Sequence, residues 1–182
     1  MKNIIKGSLK VFANYLISLI IFVLFLYTFF LIVKENYSKW LPLYSGINFI
    51  LMASIMYNDL KKLAKKEKRP QYALNPHPLK GLLLGVIGFL PVVIFEIVYI
   101  FLNFDNEIKN RIAELALKTI LGPVYIFVRL IGGTTVGYIL ASLTVPVVAM
   151  LGYMAGYYGF ELRDKKLKKK LVNNNVSDKM TK

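Results

Sequence analysis

Glu96 is the side chain with the most chemistry to offer. It is the one acidic residue inside a long apolar run, Phe89-Leu-Pro-Val-Val-Ile-Phe-Glu-Ile-Val-Tyr99. A carboxyl at hydrocarbon depth is costly unless it is paired, protonated or facing a cavity. Four-residue steps put Gly88, Val92 and Glu96 on one helical face, with Gly85 close by, so the carboxyl should point into a bundle. Arg129 sits in a second apolar stretch that approaches from the same end, which makes a Glu96–Arg129 ion pair a reasonable arrangement. The functional reading of Glu96 and Arg129 is an ion, proton or substrate site. The structural reading is a pair that docks the 119–131 segment, or a Glu96 that snorkels outward.

Little else in the chain could act on a substrate. There is no cysteine, which removes disulfides, thiolate metal sites and cysteine nucleophiles. His77 is the single histidine, in Asn-Pro-His-Pro, and reads as a solvated loop residue; no metal site and no cofactor are expected. The run Gly132-Gly133-Thr134-Thr135 could offer backbone N–H groups to an anion, but the motif is short and nonspecific, and the start of a helix is the better account of it. No P-loop, Gly-x-Ser-x-Gly or His-Glu-x-x-His motif occurs, so an enzyme ranks behind non-catalytic readings.

A second pattern concerns packing. Gly133, Gly137 and Ala141, then Gly152 and Gly156, recur at steps of four, and Gly85 and Gly88 do similar service in the Glu96 run. Such small residues let a neighbouring helix backbone approach closely. They are expected to pack the protein's own bundle, with a membrane partner or self-association as the other use. Pro146 should kink the helix that carries them.

The elements that would position these residues are membrane-spanning helices. Apolar residues make up 56% of the 182-residue chain and mean hydropathy is +0.52, which excludes an ordinary soluble domain. The run at 11–33 has about 23 residues, enough for roughly 30 Å of hydrocarbon, and lacks the short core and cleavage site of a signal peptide. Further spans are expected at about 40–57, 81–103 and 133–160, with Pro42 in the first turn of the second and the helix-forming composition of Leu60–Lys68 extending that span past Tyr57 into water. Between the last two, 107–117 has Ile108, Ile112 and Leu115 on one face, as in an interfacial amphipathic helix. The stretch 119–131 is short, broken by Gly122-Pro123, and suits a re-entrant segment. The expected class is therefore an all-α integral membrane protein of four transmembrane helices, with an amphipathic and re-entrant segment at about 105–131 before the last. One bundle domain would cover 1–160, and 161–182 would be a basic tail, disordered at its end.

Charge orients the chain. Residues 1–10, 58–80 and 161–182 hold 18 of the 24 basic residues but only 5 of the 10 acidic ones. Four spans place all three blocks on one side, which the positive-inside bias makes the cytoplasm; five would split them. Both termini and His77 should then face the cytoplasm of a multi-pass cell-membrane protein. Lys61, Lys62, Lys65, Lys66, Lys68 and Arg69, with Arg163, Lys165, Lys166, Lys168, Lys169 and Lys170, would meet anionic lipid there. Nucleic acid is not an expected partner, since the basic blocks abut apolar spans. The leading functional expectation is a non-catalytic subunit, assembly or immunity-type component acting by helix packing and a basic cytoplasmic face. The alternative is a small transporter, or the substrate-binding component of one, with Glu96 and Arg129 near a solute or ion site.

Overall fold

The computed structural model describes residues 2–69, 76–101 and 107–160. Their regular structure is helical throughout: α1 Lys2–Val33, α2 Tyr37–Glu67, α3 Lys80–Phe101, α4 Glu107–Ile120, α5 Tyr125–Leu130, α6 Thr135–Ser142 and α7 Thr144–Tyr158. Short 3-10 turns occupy Lys34–Asn36 and Gly122–Val124. Four stretches are long and apolar enough to cross a membrane: Asn3–Val33, Lys39–Glu67, Lys80–Tyr99 and Val136–Tyr158. They correspond to the four expected spans. The basic tail from Arg163 to Lys170 lies outside the described residues, as does the rest of 161–182.

The boundaries differ from expectation in instructive ways. α2 begins at Tyr37, so Pro42 lies inside the helix instead of in its first turn, and removes one intrahelical hydrogen bond there. The extension of α2 past Tyr57, as far as Glu67, agrees with the helix-forming composition of Leu60–Lys68, and Met52, Met56, Leu60 and Ala64 carry its buried stripe at steps of four. The last span is two helices. α6 ends at Ser142 and α7 begins at Thr144, with Leu143 between them still in right-handed helical conformation. Pro146 explains the interruption: it has no N–H to give the Ser142 carbonyl, and its ring crowds that carbonyl.

α7 packs on α2 and α3, and α1 packs on the same two helices, so α1 and α7 take opposite corners of a four-helix ring. Glycines bring the backbones together. A Cβ at Gly81 would collide with Tyr153, one at Gly85 with Pro146 and Ala149, and one at Gly88 with the Ser8 carbonyl. On α7, Gly152 lies against the Tyr57 backbone and Gly156 against that of Lys61. Ala141 is fully buried on α6. Gly137 faces the Val128 carbonyl, where an added Cβ would come to 3.3 Å. Gly133 departs from the expected packing stripe. It precedes α6, has φ +68, and has nothing near its Cβ position. Together with Gly132 (φ +97) it turns the chain, a conformation that L side chains avoid. Thr134 then caps α6 by accepting the Gly137 N–H at 3.3 Å.

The segment between α4 and α6 is part of the core. Leu117, Leu121 and Val124 join the central cluster of Val11, Tyr15, Met56, Leu84, Phe89 and Tyr153. Gly122 abuts the Phe22 ring, with no room for a Cβ. Phe22 lies eleven residues before the end of α1, so this turn reaches roughly 17 Å down the bundle from that end. Leu24, Tyr27 and Ile32 of α1, Ile47 and Ile50 of α2 and Leu151 of α7 face outward and are exposed. Such an apolar belt suits contact with lipid. On α4, Ile108, Ile112 and Leu115 are likewise exposed, while Arg111 and Lys118 pair with Glu107 (2.7 Å) and Glu114 (2.5 Å) one turn away.

Candidate functional site

Glu96 sits on the fifth turn of α3, on the inward face with Gly88, Phe89 and Val92. It is only 1% exposed. Its Oε2 accepts a hydrogen bond from the Ser142 hydroxyl at 2.7 Å, and Ser142 is the last residue of α6 before the break. The carboxylate therefore bonds to the point where the last span is interrupted. Its Oε1 has no protein partner.

The expected ion pair is not formed. Arg129 is exposed on α5, and no hydrogen bond or salt bridge joins it to Glu96. The cause is the rotation of a short helix. α5 turns Val128 into the core at 1% exposure, and a neighbour about 100° around the helix must then face out. Spacing places the two charges at similar depth but cannot tell how the segment between them is turned.

The inward face of α1 carries several polar residues. Its inward positions run Ser8, Val11, Asn14, Tyr15, Ser18 and Phe22. Tyr15 is fully buried, donates to the Ile120 carbonyl at 2.6 Å, and sets its ring edge-on to Phe89 at 4.7 Å. Ser8 Oγ, Asn14 Nδ2 and Ser18 Oγ are buried without protein partners, and buried polar atoms rarely stay so. Interhelical hydrogen bonding is one role open to polar residues in and near the spans. Ser45 fulfils it: its hydroxyl donates to the Gly122 carbonyl (2.6 Å) and accepts the Ile126 N–H (2.9 Å), fastening the inserted turn to α2. Asn48 and Ser54 instead bond to carbonyls of their own helix.

A second polar cluster closes the other end of the bundle. Glu67 on α2 is 4% exposed and its Oε2 accepts from both Lys80 Nζ (2.7 Å) and Tyr153 OH (2.6 Å). One carboxylate oxygen thus ties α2, α3 and α7 together. Within Lys-Lys-Glu-Lys-Arg, Glu67 resembles any solvated residue by composition. The signal that finds it is helical phase, since Glu67 falls on the stripe Met52, Met56, Leu60 and Ala64.

The same extension of α2 presents the basic residues. Lys62, Lys66, Lys68 and Arg69 are exposed, and Lys61 and Lys65 are half-buried. Lys68 Nζ donates to the Tyr157 carbonyl at 3.0 Å and lies 5.2 Å above that ring. Lys61 lies 5.9 Å above the Tyr57 ring. His77 is exposed, and its Nδ1 accepts the Leu79 N–H at 3.3 Å, shaping the turn before α3. Among the described residues, no three acidic or histidine side chains are grouped to hold a metal.

Compared with known protein families, curated proteins and solved structures, the chain matches none. Its function has to be read from these side chains alone.

Proposed function

We propose that the protein is a non-catalytic multi-pass membrane component whose working surface is the rigid basic end of α2, held against the anionic face of the membrane. The observation that carries this reading is the Glu67–Lys80–Tyr153 lock. It braces on α3 and α7 the helical extension that the composition of Leu60–Lys68 suggests, making it a strut. Lysines on a fixed helix keep a fixed spacing, so they can meet a charged surface without ordering a flexible chain first. The glycine contacts of α7 support the same reading, because they occupy the small-residue stripe inside the bundle. What remains for a partner or lipid is the outer apolar faces and the basic end.

The test is lipid retention. Purified protein reconstituted with mixed phosphatidylglycerol and phosphatidylcholine should keep phosphatidylglycerol in excess of the bulk ratio, by mass spectrometry of the detergent-released complex. Each basic residue near an anionic surface contributes roughly 1 kcal/mol at low salt, so Lys62→Gln/Lys66→Gln/Arg69→Gln should remove most of the enrichment. High salt should do the same. Equal retention of both lipids by the wild-type chain would overturn the reading.

A transporter, or a binding component of one, is the second reading. The buried carboxyl of Glu96, bonded to the point where the last span breaks, favours it, because interrupted helices and intramembrane acids recur at solute and ion sites. Arg129 does not share that site.

A further inference from the structure

α7 comes close to α2 because Gly152 and Gly156 lie against the backbones of Tyr57 and Lys61. Beside that contact an open groove runs between the two helices. Its stretch at the basic end, about 550 Å³, is lined by Tyr57, Leu151, Met154, Ala155, Tyr158 and Phe160, with no charged side chain among them. The four α7 residues before Gly159 recur at helical spacing on one face, so the groove follows the helix. Left-handed Gly159 (φ +72) ends α7, and the Phe160 N–H then donates to the Ala155 carbonyl at 2.9 Å. That turn holds the Phe160 ring beside that of Tyr158, with centroids 6.3 Å apart. A second stretch of about 480 Å³ shares Tyr57 and Leu151 with the first and continues to Phe49 on α2 and Val148 on α7. Ser54 and Asn58 line it too, but their side chains donate to carbonyls of α2 itself (2.7 and 2.8 Å). From Val148 to Tyr158 the two stretches cover roughly 15 Å of α7, about half the hydrocarbon thickness of a bilayer.

We propose that this α2–α7 groove seats one acyl chain of an anionic phospholipid, its phosphate drawn to Lys61 and Lys68. Lys61 follows Tyr57 by about one helical turn, and its Nζ stands 5.9 Å over that ring, which lines both stretches. Among the described residues, no carboxylate pairs with it. Lys68 falls on the same face of α2, seven positions further along. Its Nζ uses one of three donors on the Tyr157 carbonyl at 3.0 Å, next to Tyr158 of the groove. Two ammonium groups at one end of an apolar trough one leaflet deep match such a lipid in both charge and length. A zwitterionic headgroup would bring its own cation to the same place and offset the attraction. An apolar partner helix would cover the trough but leave both charges unanswered.

The proposal deepens the reading of the basic α2 strut and rests on it for the choice of leaflet. The experiment uses the full chain in liposomes containing phosphatidylglycerol with a photoreactive diazirine in its acyl chain. After irradiation, peptide mass spectrometry should place the adducts on Tyr57 and on Leu151–Tyr158, in preference to exposed α1 residues such as Leu24 and Ile32. Unlabelled phosphatidylglycerol should compete, and phosphatidylcholine at equal excess should not. Lys61→Gln should lower the groove adduct about fivefold, the worth of one basic residue near anionic lipid. Ala155→Leu, which fills the groove, should abolish it. Leu151→Trp obstructs the junction of the two stretches from an exposed position, and so tests the same point if Ala155→Leu fails to fold. Adducts spread over α1 and α3 in proportion to exposure would overturn the proposal. Equal competition by phosphatidylcholine, or undiminished yield in folded Leu151→Trp, would do so too. Bulk lipid enrichment in the same liposomes separates the two ideas. Groove adducts without enrichment leave the groove standing and remove the strut as the working surface, while enrichment with scattered adducts does the reverse.

Discussion

Gly156→Ala is expected to destabilise the bundle by about 3 kcal/mol or more, the top of the usual overpacking range, whereas Gly7→Ala should shift it by less than about 1 kcal/mol. Both are helical glycines, and alanine would gain each about 0.5–1 kcal/mol in helix propensity. Both also lack free space. The difference lies in what the new methyl meets. At Gly7 it meets the tips of Leu84, 2.8 and 2.9 Å away, which can rotate aside. At Gly156 it meets the Lys61 carbonyl oxygen, with the Ala64 Cβ at 2.8 Å, and neither can move without parting α2 from α7. Thermal unfolding of the two variants in detergent, followed by loss of the monodisperse peak, measures the contrast. Equal midpoints would mean that α2 and α7 do not pack through this glycine.

The second large effect belongs to Lys80. Lys80→Met should cost about 3–5 kcal/mol, because Glu67 would stay buried with only the Tyr153 hydroxyl as donor. Glu67→Gln should cost less, about 1–3 kcal/mol, since the stranded Lys80 is 13% exposed and its ammonium can reach water. The double variant should lose clearly less than the sum, as one charge no longer strands the other. Additive losses in that cycle, read from denaturation in the same detergent, would show that the pair is not coupled. The cycle also bears on the proposed function, because a strut that is not locked cannot hold its lysines at fixed spacing.

These cases show which features were legible from the amino-acid order. The four long helices were, since runs of Leu, Ile, Val and Phe of spanning length leave few alternatives. The interruption before α7 was too, because Pro146 announces it chemically. Glu96 could be found as a lone carboxyl in an apolar run, but its partner could not. Ser142 and Arg129 both lie within reach by depth, and the choice depends on how α5 and α6 are rotated, which no local spacing encodes. Gly133 fits the four-residue pattern of its neighbours and yet serves a turn, because its left-handed φ belongs to the chain reversal. Glu67 stayed hidden by its basic neighbours, although the phase of α2 points it inward. Docking of the Gly122 turn onto Ser45 and Tyr15 depends on contacts across 77 and 105 residues, beyond any local pattern.

The central claim is that α1, α2, α3 and the α6–α7 pair thread a membrane and leave the basic strut on its cytoplasmic side. Single cysteines test this cleanly because the chain has none of its own. Lys62→Cys lies on the strut and Asn110→Cys on α4 at the opposite end, both at exposed positions. In intact cells a membrane-impermeant maleimide should label position 110 and spare position 62 until the membrane is permeabilised. Labelling of position 62 in intact cells, with position 110 protected, would contradict the account.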